Sequence, residues 1–213
     1  MQFTSNKKPE EPQLNVILAS QSAGRRMLLE KLGVWFNVAV PHVDEENIIH
    51  PNPAKMIELR AKAKADELMN HPHIYALSEE NKYLIIAADS MAVIGKKTFG
   101  KVKNVDEARE MLKNLMGRTH VFVTAINVVL IEFGKLIKRW EKKMETKVTL
   151  RKMSKAEVES YLGKYKLEKY AACYALNETP WDLVKKIDGS YTNVIGLPFE
   201  PLLPILRTMK LVV

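Results

Sequence analysis

The sequence predicts a mixed α/β fold. Three observations carry that expectation. Short apolar runs end in turn residues, and stretches with helix-start signals alternate with them. In the middle of the chain two long strand-like segments flank a single turn, which argues for antiparallel pairing there. With 213 residues the chain suits one large domain or two small lobes and is ample to bury a core. Hydrophobic residues make up 46% and charged residues 27%, a globular balance that excludes disorder throughout and low-complexity classes.

Residues 1–13, polar and carrying Pro9 and Pro12, read as a flexible N-terminal tail, and residues 14–213 as a single domain. The run L-N-V-I-L-A at 14–19 reads as a buried strand that stops at S-Q-S-A-G. A helix follows with Met27, Leu28, Leu29 and Leu32 on one side, and Gly33 is its stop. Residues 35–40 read as a second strand, with Asp44, Glu45 and Glu46 in the loop beyond it. Pro53 opens an Ala-rich helix to about residue 70. Residues 84–88 form a strand that ends in Asp89 and Ser90; 91–94 stay extended, and Gly95 turns the chain. Residues 105–115 have helical periodicity, with Asp106 and Glu107 suiting the first turn. Strands over 120–131 and 135–151 surround a turn at Phe133 and Gly134. Ser154 and Glu157 make a capping box for a helix over 155–162. Residues 181–187 read as a strand, 188–190 as a turn, and Pro198 opens a final helix interrupted near Pro201 and Pro204.

Lys and Arg number 33 against 25 Asp and Glu, a net charge of +8. That surplus suggests an anionic partner: nucleic acid, acidic lipid or phosphorylated small molecules. Its distribution narrows the choice. From 132 to 155 there are nine Lys/Arg, but they alternate with Leu136, Trp140, Val148 and Leu150, the pattern of a solvated strand face rather than a nucleic-acid arm. Aromatics at the regular spacing of a base-stacking platform are missing, which also argues against nucleic acid. The longest apolar run, 121–131, is shorter than the ~18 residues of a membrane span, and the first residues lack the apolar core of a signal peptide. A lone Cys173 excludes an intrachain disulfide framework and a Cys-based zinc site, fits a reducing compartment such as the cytoplasm, and reads as a small buried hydrophobe.

Three features could carry chemistry. Ser20 and Ser22, with Arg25, lie where a strand turns into a helix; exposed N–H groups and a guanidinium there can cradle a phosphate, though a capped helix with surface arginines reads the same way. Asp89, at the end of an apolar strand, could hold a divalent cation, accept a proton from water, or only cap a turn. Lys64 and Lys101 stand at helix and loop edges.

These blocks together resemble the Maf family of nucleoside triphosphate pyrophosphatases, over about 14–206. L-A-S-Q-S-A-G-R-R-M-L-L is similar to the family's L-A-S-x-S-P-R-R-x-x-L-L, and A-A-D-S followed by Gly100 and Lys101 to its A-D-T…G-K-P. M-G-R-T-H at 116–120 resembles S-G-R-x-H, and D-G-S-Y-T-N-V-I-G-L-P at 188–198 resembles D-G-S-Y-x-N-V-V-G-L-P. The resemblance implies a twisted central sheet flanked by helices, in two lobes with a cleft, as in inosine-triphosphate pyrophosphatases. It implies that Ser20, Ser22 and Arg25 bind the triphosphate and that Glu45 and Asp89 act on metal and water, with Asp89 the general base. It further implies that Lys64 (with Lys62 the alternative) and Lys101 neutralise phosphate charge, and that Ser90 and Asn177 lie near the base. A Mg²⁺ or Mn²⁺ cofactor, hydrolysis of non-standard or pyrimidine triphosphates to a monophosphate and pyrophosphate, a house-cleaning role and a homodimer are implied in the same way. A nucleotide-binding regulatory protein with little turnover is the alternative.

The chain departs from the pattern where specificity is set. The family's Pro-Arg becomes Ala23 and Gly24, its Thr becomes Ser90, and its A-G-A-Y-G-I-Q becomes A-A-C-Y-A-L-N, placing Asn177 where a Gln is usual. The residues of the chemistry are kept.

Overall fold

A computed structural model describes residues 13–179 and 181–213. The tail expectation falls on residues outside these. The elements, in order, are β1 (Leu14–Ala19), α1 (Ala23–Lys31), β2 (Asn37–Ala39), α2 (Pro53–Asn70), β3 (Lys82–Ile94), β4 (Lys97–Phe99), α3 (Val105–Leu115), β5 (Thr119–Glu132), β6 (Lys135–Leu150), α4 (Lys155–Lys164), β7 (Val184–Asp188), α5 (Tyr191–Ile195) and α6 (Phe199–Thr208). Seven strands form one mixed sheet in the order β2-β1-β3-β5-β6-β7, with β4 also paired to β3. β1 runs parallel to β2 and β3, and the remaining pairs are antiparallel.

Alternation along the strands sends their side chains to two faces. Val16, Leu18, Leu84, Ile86 and Val128 pack under α1 and α6, against Leu28, Leu29, Leu202 and Leu206. Ile17, Ala19, Ile85, Ala87 and Val129 face the other way, against Ala65 and Leu68 of α2. β3 and β5 are buried on both faces over most of their length, which explains their unbroken apolar runs. A second lobe gathers Ala92, Phe99, Phe122, Val148 and Leu150 with α3, α4 and Leu167–Cys173, so the same long strands serve both lobes. The β5–β6 hairpin turns through Phe133 and Gly134, both at positive φ (49° and 71°), the geometry of a tight two-residue turn.

Several boundaries differ from the sequence reading. The strand expected over 35–40 shrinks to Asn37–Ala39, because β1 offers it only Ile17, Leu18 and Ala19 as partners; Trp35 stands outside it, 94% exposed. The strand expected over 181–187 begins at Val184, where pairing with Leu150 starts, and Trp181–Leu183 is a 3₁₀ turn. The final helix is not interrupted: Pro201 lies in its first turn, and Leu202, Ile205 and Leu206 pin the helix to the sheet on both sides of Pro204. Most consequential, β3 does not end at Asp89. It continues to Ile94, paired with β5 as far as Val93.

His120 sits in the second lobe, 2.9 Å from the Tyr174 hydroxyl, with no partner at Nδ1. Burial pushes its pKa down from 6.5 to about 4. The folded protein therefore holds it neutral while an unfolded chain would protonate it below about pH 6.5. The unfolded state binds the extra proton, so stability falls as the pH drops through 6.5 to 4, by about 3 kcal/mol in total. Unfolding titrations with urea at pH 7 and pH 4.5 should show this loss, and His120→Gln should flatten that part of the profile. An unchanged slope in the variant would assign the acid sensitivity elsewhere.

Candidate functional site

The site occupies a gap in the sheet. β1 pairs with β3 from Lys82 to Ala87, and β4 pairs with the same edge only from Ala92. Between them that edge of β3 has no strand beside it, while β5 zips the opposite edge. Beyond Ala19 the chain leaves the sheet at Ser20 and enters α1. Asp89 thus stands not at a strand end but in the opening left by its neighbours.

Strand alternation sends Asp89 and Ser90 to opposite faces. Asp89, 6% exposed, meets Lys64 of α2, itself 7% exposed. Lys64 Nζ donates to Asp89 Oδ1 at 2.8 Å and to the Ala88 carbonyl at 3.4 Å, and lies 3.0 Å from Glu45 Oε2. One ammonium therefore bridges both predicted carboxylates. Lys62, the alternative, points away and pairs with Asp66 at the surface. Glu45 arrives on a 3₁₀ turn, Glu45–Asn47, capped by Asp44, whose carboxylate accepts from the Glu46 N–H at 3.2 Å.

Ser90 faces α1. Its hydroxyl accepts from Arg25 Nη2 at 3.0 Å. Arg25 also donates to Ser20 Oγ at 3.0 Å and to the Gly196 carbonyl at 2.8 Å. Ser22 is the N-cap of α1 and accepts from the Arg25 N–H at 3.4 Å. Burial lowers the Arg25 pKa from its ordinary value, and the charges of Asp89 and Glu45 oppose that shift. Lys101 follows β4 on an exposed loop, yet its ammonium titrates below its ordinary value. Desolvation of the head group is the main cause, and the neighbouring charges of Arg25 and Lys64 add to it. Three cations and two carboxylates thus converge on the gap.

Asn177 lies on an exposed loop, its amide 3.4 Å from Glu178 Oε1. It faces the start of α1, where a Cβ on Gly24 would stand 3.8 Å from Asn177 Oδ1. The same Cβ would come within 3.0 Å of Ile195 Cγ2 and 3.1 Å of the Ile195 carbonyl, so the missing side chain at 24 lets α1 and α5 close together. Of the nine residues singled out in the sequence, Ser20, Ser22, Arg25 and Ser90 are joined by hydrogen bonds on one side of the gap and Glu45, Lys64 and Asp89 by ion pairs on the other, Lys101 feels their charges, and Asn177 stands beside the start of α1. Sequence reasoning missed Thr124 and Asn193, two buried polar residues behind Ser90. The signals were there: a Thr interrupting an apolar strand, and an Asn inside the D-G-S-Y-T-N block. It also missed an ion pair at the mouth, Lys103 Nζ to Glu46 Oε1 at 2.9 Å, which joins the loops bearing Lys101 and Glu45.

Among the described residues no cluster of three or more His, Cys, Asp or Glu suits a metal ion. The site does offer one unmet acceptor: Asp89 Oδ2 is buried and has no hydrogen-bond partner. A buried carboxylate oxygen without a donor, near a second carboxylate, fits a hard divalent cation. No helix among the described residues is long and apolar enough to cross a membrane.

Comparison with known proteins gives the family. Residues 15–209 match the family described as Maf-like protein. A dTTP/UTP pyrophosphatase of Thermoanaerobacter sp. (strain X514) is 35% identical over 195 residues, 91% of this chain and 96% of that protein. A dTTP/UTP pyrophosphatase of Treponema denticola is 35% identical over 200 residues, 90% of this chain and 95% of that one. Among solved structures, a HAM1 protein from Coxiella burnetii is similar at 15% identity and a TM-score of 0.48, covering 93% of this chain and 99% of its own, too loosely to bear on function. With a family match across nearly its whole described length, the chain belongs to the Maf-like proteins.

Proposed function

We propose that this protein is a nucleoside triphosphate pyrophosphatase, cutting between the α- and β-phosphates to release a monophosphate and pyrophosphate. The observation that carries the reading is the buried Lys64 bridging Asp89 and Glu45, with Asp89 Oδ2 buried and without a hydrogen-bond partner among the described residues. A merely binding site for an anion gains nothing from two carboxylates held beside its cations. Hydrolysis needs both signs, one to take a proton from water and the other to bear the charge of the leaving group.

Each residue then has a part. Asp89 accepts the proton of the attacking water at Oδ2. Lys64 fixes that carboxylate and Glu45 in one place and keeps two like charges together. Arg25 and Lys101 meet the growing charge on pyrophosphate; one such contact is worth roughly 2–4 kcal/mol in the transition state. Ser20 and Ser22 line the phosphate side at the start of α1. Glu45 and Asp89 would hold a Mg²⁺ or Mn²⁺ ion, which when bound activates water and neutralises triphosphate charge.

The relatives named dTTP/UTP pyrophosphatases support pyrimidine triphosphates as substrates. Asn177, one methylene shorter than the family's Gln, reaches less far toward the base and would also admit modified bases, whereas the space beside Gly24 is filled by Ile195. The reading includes a single catalytic domain over 14–213, action in the cytoplasm and a homodimer. A panel of standard and modified triphosphates, assayed with Mn²⁺ for pyrophosphate release, tests it. UTP and dTTP should be turned over faster than ATP and GTP, and a panel with no turnover would leave the regulatory binding protein as the better account.

A further inference from the structure

We propose that Thr124 and Asn193 are positioning residues that hold Arg25 and Ser90 in their working arrangement. The proposal rests on the reading above, in which Arg25 meets the phosphates. The guanidinium of Arg25, 8% exposed, spends three of its N–H groups on Ser20 Oγ, Ser90 Oγ and the Gly196 carbonyl. A guanidinium carries five, so two remain for a ligand, and their direction is set by the three that are bound. Whatever fixes Ser90 and Gly196 therefore aims the free pair.

Two residues do so. Thr124 is the cross-strand partner of Ser90 and shares its face of the sheet. Its hydroxyl lies 2.9 Å from Ser90 Oγ and 2.9 Å from the Asn193 carbonyl, and it is wholly buried. Asn193, 0% exposed, clamps the five-residue α5 to the sheet: its amide donates to the Phe122 carbonyl at 3.0 Å and to Thr146 Oγ1 at 2.9 Å. The Gly196 N–H donates to the Asn193 carbonyl at 3.0 Å, closing α5 in a left-handed turn at φ 113°. That turn presents the Gly196 carbonyl to Arg25. A helix of α5's length has little packing of its own to fix its end.

The composition of this network separates positioning from packing. At 124 a valine would fill the same space without a hydroxyl to satisfy. Among the described residues the hydrogen bonds of that hydroxyl lead to Ser90 and to the Asn193 carbonyl of α5; Ser90 and Gly196, the cap of α5, both touch Arg25. Asn193 keeps its two donor bonds although its own Oδ1 is buried without a partner. Asn193 thus bears a local cost, an unpartnered buried oxygen, while holding in place the turn that presents the Gly196 carbonyl to Arg25.

The test compares Thr124→Val, Thr124→Ser and the parent protein. Two readouts are taken: pyrophosphate release from UTP, and calorimetric binding of inorganic tripolyphosphate, which has no base. Thr124→Val should weaken tripolyphosphate binding severalfold and lower kcat/KM for UTP about tenfold, with part of the loss in kcat because Arg25 acts on charge that grows in the transition state, and with the melting temperature little moved. Thr124→Ser should restore both to within twofold. Unchanged binding in Thr124→Val overturns the proposal, as does a loss that Thr124→Ser fails to rescue or that follows the melting temperature. If the parent binds tripolyphosphate but hydrolyses no triphosphate, the pyrophosphatase reading fails while the binding comparison still decides the role of Thr124. If the parent binds no tripolyphosphate, both fail.

Discussion

Replacing Asp89 by Asn is expected to lower pyrophosphate release by about a thousandfold while leaving the fold intact. The two side chains have the same shape. The Asn carbonyl oxygen can still accept from Lys64 Nζ, as Asp89 Oδ1 does at 2.8 Å, and Glu45 remains to pair with the ammonium. Oδ2, however, becomes an amide nitrogen that can neither take a proton from water nor face a divalent cation. The loss should appear in kcat, because a proton acceptor acts in the transition state rather than in substrate binding. Retention of more than a tenth of the parent rate would remove Asp89 from the role of base.

The second large effect is on stability. Lys64→Met keeps an unbranched apolar stem, one atom shorter, but removes the charge between two carboxylates. Asp89 would then be a buried carboxylate with neither oxygen bonded, since Lys64 supplies its only hydrogen bond among the described residues. Stranding one member of a buried pair costs about 3–5 kcal/mol. For a domain of this size that lowers the melting temperature by roughly 6–20 °C. Glu45, partly exposed, can turn to water and contributes little to the loss. The pairing of Lys64 with Asp89 is thus expected to be the most costly single interaction to break in the site. Thermal unfolding of the variant checks it, and an unmoved transition would mean the ammonium does not sit between the two acids.

The contrast between what the sequence disclosed and what it hid has a physical basis. α2 was legible because Asn52 and Pro53 mark its start and its own periodicity marks its length, and all of that information is local. β5 and β6 were legible because their turn residues lie next to each other in the chain. Asp89 was found, but its setting was misread. A strand's end can be seen from composition, whereas a strand that continues after its neighbour stops depends on β1, some seventy residues earlier. The same holds for Thr124 and Asn193. Nothing near either residue says that Ser90 and Gly196 stand opposite them, and a hydroxyl in an apolar run reads as an interruption. Trp35 shows the converse, an aromatic in an apolar stretch that lies outside the strand because its edge has too few partners.

The continuous strands also constrain how the protein can move. β3 and β5 each supply side chains to both lobes, and their ladder runs without a break past the gap. Bringing the lobes together as rigid bodies would mean bending that ladder and breaking its hydrogen bonds in the middle of the core. Adjustment to a ligand therefore falls to the rim. The turn bearing Glu45 and Glu46 and the loop bearing Lys101 and Lys103 are joined by an exposed ion pair, the kind of contact that forms and parts at little cost. The frame of the site is set when the chain folds, and only its doorway is free to open and shut.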